Sequence, residues 1–348
     1  MKNANDDGST VRSPMADATL ARTAEAPVEA PDVAAGSGPT SAPAVLPVAL
    51  TAPRDAPEAD ASLPSPRALP DTSHRVLVMG IVNRTQDSFF DEGRTWQLEA
   101  AVEAGLAAAT EGADLVDVGG VKFAPGEPVP VAEEIDRVVP VVDALRRELP
   151  THVLLSVDTF HAAVAEASIG VGADLINDTT GLSDPAMAPT VAGAGASLVL
   201  THSVARPRES FPHPRYDDVV EEVRDFLAAR LERALEAGID RGHIILDPGP
   251  DLNKNTLQTL EVLRDWSEYS SLGLPVLAAL SRKDVIGESL GLPKQERLEG
   301  SLAAAAWVMH LGARILRVHD VQATVRMVRM FEVLAGWREP AGPLTHNT

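Results

Sequence analysis

Residues 153–178 read VLLSVDTFHAAVAEASIGVGADLIND, and their order decides the architecture. The run Val153-Leu154-Leu155-Ser156-Val157 is apolar, branched and too short for a stable helix, so it predicts a strand that ends on Asp158. Residues 161–171 are dominated by Ala and other helix-compatible residues, and Gly172 stands where that helix should stop. A second short run at 174–176 predicts another strand, which ends on Asn177. Strand, helix and strand in such quick succession form a crossover unit, and crossovers of this kind join parallel strands.

The same alternation continues in both directions. Apolar runs at 76–82, 114–118, 153–157, 174–176, 197–200, 244–246, 276–280 and 314–318 predict eight strands. Helices are expected between and after them at 98–110, 132–148, 161–171, 186–192, 216–237, 256–272, 295–311 and 321–337. Gly112, Gly172, Gly193, Gly238, Gly273 and Gly312 mark expected helix ends. Eight strand-helix units over about 260 residues have the size and repeat number of a (β/α)8 TIM barrel. An open doubly wound sheet is the rival, but no Gly-rich dinucleotide loop follows the first strand.

Residues 1–72 differ in kind. They are rich in Ala, Pro and Ser without sustained apolar periodicity, which predicts a disordered leader, with the barrel at 73–338 and a flexible tail at 339–348. The 348-residue chain has no cysteine, which excludes disulfides, thiolate metal sites and a cysteine nucleophile. Its formal net charge of -20 argues against a nucleic-acid surface, and no apolar run is long enough to span a membrane. With no secretory signal pattern at the start, a cytoplasmic location is expected. No His spacing suggests a zinc site.

Barrel chemistry sits at the C-terminal ends of the strands. Here those ends read Asn83, Asp117, Asp158, Asn177, His202, Asp247, then Ser281-Arg282-Lys283, then Arg317 and His319. Taken singly, an Asp or Asn after a strand is more often a turn or cap residue. Eight polar ends converging on one rim point to a ligand. Carboxylates and carboxamides suit an edge rich in N–H donors, whereas Lys, Arg and His suit anionic oxygens. The mouth therefore reads as two halves.

Seven segments, in order along the barrel, resemble motifs of the dihydropteroate synthase family. They are Met79-Gly80-Ile81-Val82-Asn83-Arg84-Thr85-Gln86-Asp87-Ser88-Phe89, Asp117-Val118-Gly119-Gly120, Ser156-Val157-Asp158-Thr159, Ile176-Asn177-Asp178, Leu246-Asp247-Pro248-Gly249, Ser281-Arg282-Lys283 and Arg317-Val318-His319-Asp320. The resemblance implies condensation of hydroxymethyl-dihydropterin diphosphate with para-aminobenzoate, releasing pyrophosphate in folate biosynthesis. It places Asp117, Asp158, Asn177, Asp247 and Lys283 around the pterin. Asn83, Arg317 and His319 are assigned to the diphosphate, with Asn83 also at a Mg²⁺ ion. Lys283, Arg317 and His319 would stabilise charge as the carbon–oxygen bond breaks. The family also implies a homodimer. The small-residue stretch 301–306 suits either such an interface or internal packing.

The aminobenzoate half departs from the family. Its usual Gly-Gly-Glu-Ser-Thr-Arg-Pro-Gly is here Gly119-Gly120-Val121-Lys122-Phe123-Ala124-Pro125-Gly126, so Ser, Thr and Arg are absent. Phe89 remains, but Leu252 stands for an aromatic residue and Asp284 for a small one. A carboxylate ~4 Å from an aminobenzoate carboxylate would cost ~4 kcal/mol at an effective dielectric near 20. The altered site is thus expected to comprise Phe89, Lys122, Phe123, Ala124, Leu252 and Asp284. Two functions follow: a working synthase with changed loops, or a paralogue that binds the pterin diphosphate without condensing it. The changes resemble those of the second, divergent actinobacterial paralogue. A pterin-dependent methyltransferase is disfavoured, because Arg317 and His319 would lack a diphosphate to hold.

Overall fold

The computed structural model describes residues 65–83, 93–205 and 208–346, without the side chains of 93–97. Its strands are β1 (Leu77–Asn83), β2 (Leu115–Gly119), β3 (Leu154–Asp158), β4 (Leu175–Asp178), β5 (Ser197–Thr201), β6 (Ile244–Asp247), β7 (Val276–Ala278) and β8 (Ala313–Val318). Each pairs in parallel with the next, and β8 returns to β1, closing the barrel. The helices are α1 (Gly93–Thr110), α2 (Val131–Glu148), α3 (Ala162–Gly170), α4 (Met187–Ala194), α5 (Val219–Glu236), α6 (Thr256–Arg264), α7 (Ser267–Ser270), α8 (Asp284–Leu290), α9 (Leu298–His310) and α10 (Val321–Leu334). No described helix is long and apolar enough to cross a membrane.

Two apolar layers follow from the period-two alternation of the strands. Leu77, Met79, Leu115, Leu154, Leu175, Val199, Ile245, Leu277 and Ile315 fill the barrel interior. Their neighbours, such as Val116, Leu155, Ile176 and Leu246, face the helices. Strands buried on both faces explain why the runs read as continuously apolar.

Several boundaries differ from the sequence expectation, each for a local reason. The helix expected at 256–272 is two helices, α6 and α7, separated where Trp266 turns wholly into the core. α4 runs through Gly193 and ends instead at Gly195, whose φ of 68° supplies the left-handed cap. β7 is only three residues long, because its ladder with β8 shifts register between Val276 and Leu277. α8 was not foreseen. Ser301 and Ala305 in the 301–306 stretch are buried, so that side of the stretch serves internal packing.

The expected leader boundary at residue 72 also falls inside ordered contacts. Arg67 donates to Asp174 from its backbone N and Nε, each at 3.0 Å, and from Nη2 at 2.7 Å. It also donates to the carbonyls of Thr151 and Val153. Burial disfavours a charged Asp174, yet these donors hold its carboxyl below the usual value. Leu69 packs against the inner apolar layer.

Candidate functional site

The alternation that buries the interior layer also builds the mouth. Leu115 faces inward, so Asp117, two residues on, faces inward as well. The same step leads from Leu154 to Ser156 and Asp158, from Leu175 to Asn177, from Ile245 to Asp247 and from Ile315 to Arg317. Register aligns Asp117 with Ser156 and Asp158 with Asn177 across neighbouring strands. A polar layer therefore lies directly above an apolar one.

Asp117 is the hub of that layer and is fully buried. Ser156 Oγ donates to its Oδ1 at 2.5 Å, while Arg317 Nε and Asn177 Nδ2 donate to Oδ2 at 2.6 and 3.2 Å. Arg317 Nη2 also donates to Asp158 Oδ2 at 2.8 Å. Burial opposes the charge on Arg317, but Asp117 and Asp158 overcome it and keep the guanidinium protonated. Burial pushes the Asp158 carboxyl up; Arg317 resists this and Asp117 reinforces it. With Nδ2 committed to Asp117, Asn177 keeps a buried Oδ1 that has no hydrogen-bond partner among the described residues.

Asp247 and Lys283 complete this half. Burial raises the Asp247 carboxyl, against Lys283 and the Gly249 N–H, which donates to Oδ1 at 2.8 Å. Burial lowers the Lys283 ammonium, against Asp247 and Asp251. Its Nζ donates to Pro250 O at 2.6 Å. Lys283 also feels Arg317 and Asp158, so these residues share one electrostatic neighbourhood. His319 N–H donates to Ser281 Oγ at 3.2 Å; burial and Arg317 lower its imidazole and favour the neutral ring. Asn83 ends β1, exposed and in register with Gly119. Among the described residues, no three His, Cys, Asp or Glu side chains cluster closely enough to hold a metal.

The other half consists of loops. Residues 248–254 are fastened from below by Lys254, whose buried Nζ lies 2.8 Å from His202 Nδ1 and donates to Gly249 O and Leu252 O at 3.0 and 3.2 Å. Burial brings Lys254 down to about 7. Burial, with Lys254 beside it, brings His202 down to about 2, so its ring is neutral and Nδ1 accepts. Asn253 Oδ1 accepts from Ser203 Oγ and from the backbone N–H groups of Val204 and Ala205 at 2.8, 3.0 and 3.1 Å. Gly249 has φ of 63°, and a side chain there would strike the His202 carbonyl.

The residues of the altered half differ in exposure. Leu252 and Phe123 are half-buried, while Lys122 and Ala124 are exposed. Phe89 lies outside the described residues. Asp284 is 82% exposed and accepts from Arg297 Nη1 at 2.9 Å, an arrangement that screens the repulsion expected from its charge. Sequence reasoning gave no role to Ser156, although it stands in a quoted motif, nor to Arg208, Asn253 and Arg297. Only Ser156 carried a signal, its inward register beside Asp117.

A closed parallel barrel that gathers buried acceptors, a paired guanidinium and a lysine at its strand ends belongs to the class of barrels whose chemistry sits at that rim. The model of the pterin binding enzyme family matches residues 79–319. The chain belongs to this family, that of the dihydropteroate synthases. It is 47% identical over 276 residues to "Inactive dihydropteroate synthase 2" of Mycobacterium tuberculosis, covering 78% of this chain and 86% of that protein. It is 39% identical over 270 residues to the dihydropteroate synthase of Escherichia coli, covering 77% and 95%. Among solved structures, the Xanthomonas albilineans dihydropteroate synthase with 4-aminobenzoic acid matches with a TM-score of 0.70 at 43% identity, covering 77% of this chain and 94% of that one.

Proposed function

We propose that the mouth binds a hydroxymethyl-dihydropterin diphosphate. The observation that carries this is Asn177 Oδ1, a buried acceptor without a partner among the described residues, on a residue in register with Asp158. A pterin edge offers amino and ring N–H donors that such a wall lacks. Asp117 orients the wall, and Asp158, Asn177 and Asp247 accept from the ring. Each charge-assisted hydrogen bond contributes about 1.5–3 kcal/mol. Lys283 suits the ring carbonyl, and Arg317, His319 and Asn83 suit the diphosphate.

A Mg²⁺ ion fits as a companion of that diphosphate. The lone carboxamide of Asn83 at the end of β1 suits an octahedral ion that keeps waters and phosphate oxygens as its other ligands. Bound there, it would neutralise charge on the departing pyrophosphate.

Condensation with para-aminobenzoate would break the carbon–oxygen bond to pyrophosphate, form a carbon–nitrogen bond and release one amine proton. The pterin half has what the bond cleavage requires. Binding without condensation is nevertheless the reading favoured by the second loop, where Lys122, Phe123 and Ala124 replace hydroxyls and an arginine. The Mycobacterium tuberculosis relative, named as an inactive dihydropteroate synthase 2, supports it. A cytoplasmic homodimer is part of the proposal: Leu257, Leu290 and Trp307 stand exposed on α6, α8 and α9, three helices that pack together.

Calorimetric titration with the pterin diphosphate should show saturable binding; its absence would remove both functions. A coupled pyrophosphate assay should then show little turnover that depends on para-aminobenzoate. Combining Phe123→Thr, Ala124→Arg and Asp284→Ser should raise that turnover at least about tenfold, the scale of one or two restored hydrogen bonds. Strong turnover by the natural chain would establish the synthase instead.

A further inference from the structure

Arg208 leaves the β5–α5 connection and enters the β2–α2 loop, residues 120–130. Its Nη1 donates to Lys122 O at 2.9 Å and also to Ala124 O, and its Nε donates to Glu127 O at 3.2 Å. The contact is returned through the backbone, because Gly126 N–H donates to Arg208 O at 3.0 Å. Gly126 leaves room for that guanidinium: a Cβ there would meet Arg208 Nη2, and the flexible end of the arginine would have to move out of its seat. At the base of the same loop, Arg137 Nη1 donates to Gly120 O at 3.0 Å. Arg208 itself adopts φ of 66°, a left-handed conformation that costs a non-glycine residue free energy and persists only where contacts enforce it.

These contacts use only the chain's own groups, and they are made to backbone carbonyls rather than to the side chains of the loop. A planar guanidinium with several fixed donors suits such a set of carbonyls; a flexible ammonium does not. We propose that Arg208 is a positioning residue that fixes the β2–α2 loop before any ligand arrives, so that the wall for the second ligand is preformed rather than ordered by binding. This rests on the proposed function only in calling that wall a ligand wall. The loop's order in the free protein is a separate quantity and is measured separately.

Hydrogen–deuterium exchange of the full chain, followed on peptides spanning 121–128 and at the Gly126 amide, tests it. In the natural protein the Gly126 amide should be protected without ligand and change less than twofold when pterin diphosphate and para-aminobenzoate are added. Arg208→Ala should speed its exchange at least tenfold, leave β3 amides within twofold, and make the loop's exchange sensitive to the two ligands. Arg208→Lys should recover only part of the protection. Gly126→Ala, which keeps the arginine but closes its seat, should reproduce the alanine variant. Exchange in Arg208→Ala within twofold of the natural protein would overturn the proposal, as would a natural loop protected only after ligand is added. Neither result depends on whether pterin diphosphate binds.

Discussion

Asp117 is held by side chains from β3, β4 and β8, whereas the loop that leaves β2 only a few residues later is held through its own backbone carbonyls by Arg208. In the first region each group is buried or half-buried and charged or polar, so the identity of every side chain matters: removing one leaves another unpaired. In the second, the carbonyls of residues 122, 124 and 127 are supplied by any residue except as backbone geometry limits it. The comparison explains how Lys122, Phe123 and Ala124 can depart from the family motif while the loop keeps a defined course. Chemistry can be lost from a carbonyl-held wall without loss of the fold; in the strand-held layer the two are inseparable.

The comparison can be broken most severely at Arg317. Arg317→Ala would leave the Asp117 and Asp158 carboxylates buried without their shared cation, and urea denaturation should show a loss of about 3–5 kcal/mol together with loss of pterin-diphosphate binding. A variant as stable as the natural chain would show that the layer is wet and weakly coupled. Asn177→Ala should weaken the pterin diphosphate by about ten- to a hundredfold in calorimetry, the scale of one or two buried hydrogen bonds.

The loop half yields an effect read per unit of pH. His202 stays neutral in the fold down to about 2. In the unfolded chain an imidazole gains a proton below about 6.5, so in that window the unfolded state binds more protons and stability falls as pH drops. The contribution is at most about 1.4 kcal/mol per pH unit. His202→Gln, which keeps an acceptor for Lys254, should flatten the dependence of thermal midpoint on pH between about 6.5 and 4 relative to the natural chain. Parallel profiles would mean that the imidazole takes up its proton in the fold.

Much of the fold and the strand-held layer was legible in the sequence because both follow from period two. Once 153–157 and 174–176 are parallel neighbours, Asp158 and Asn177 must share a rim, and the same holds around the ring. What the sequence did not disclose was made by contacts without a pattern. Arg208 meets the carbonyl of Ala124 across 84 residues and leaves no mark on either side chain. The charge of Asp284 was evident, but its partner Arg297 comes from beyond α8, a seven-residue helix too short to register as a periodicity. Arg67 lies in a stretch whose composition suggests disorder, yet its single side chain anchors it to Asp174, Thr151 and Val153.

Asn177 Oδ1 would bear a cost in the folded chain for as long as nothing donates to it, since a buried oxygen with nothing to accept is less stable than one left in water. A visitor that brings an N–H to that point removes the cost, while one of equal size and shape that does not leaves it standing. A barrel with the proposed pterin site would thus screen its guests by a deficiency of its own, and would reject a poor match without needing to clash with it.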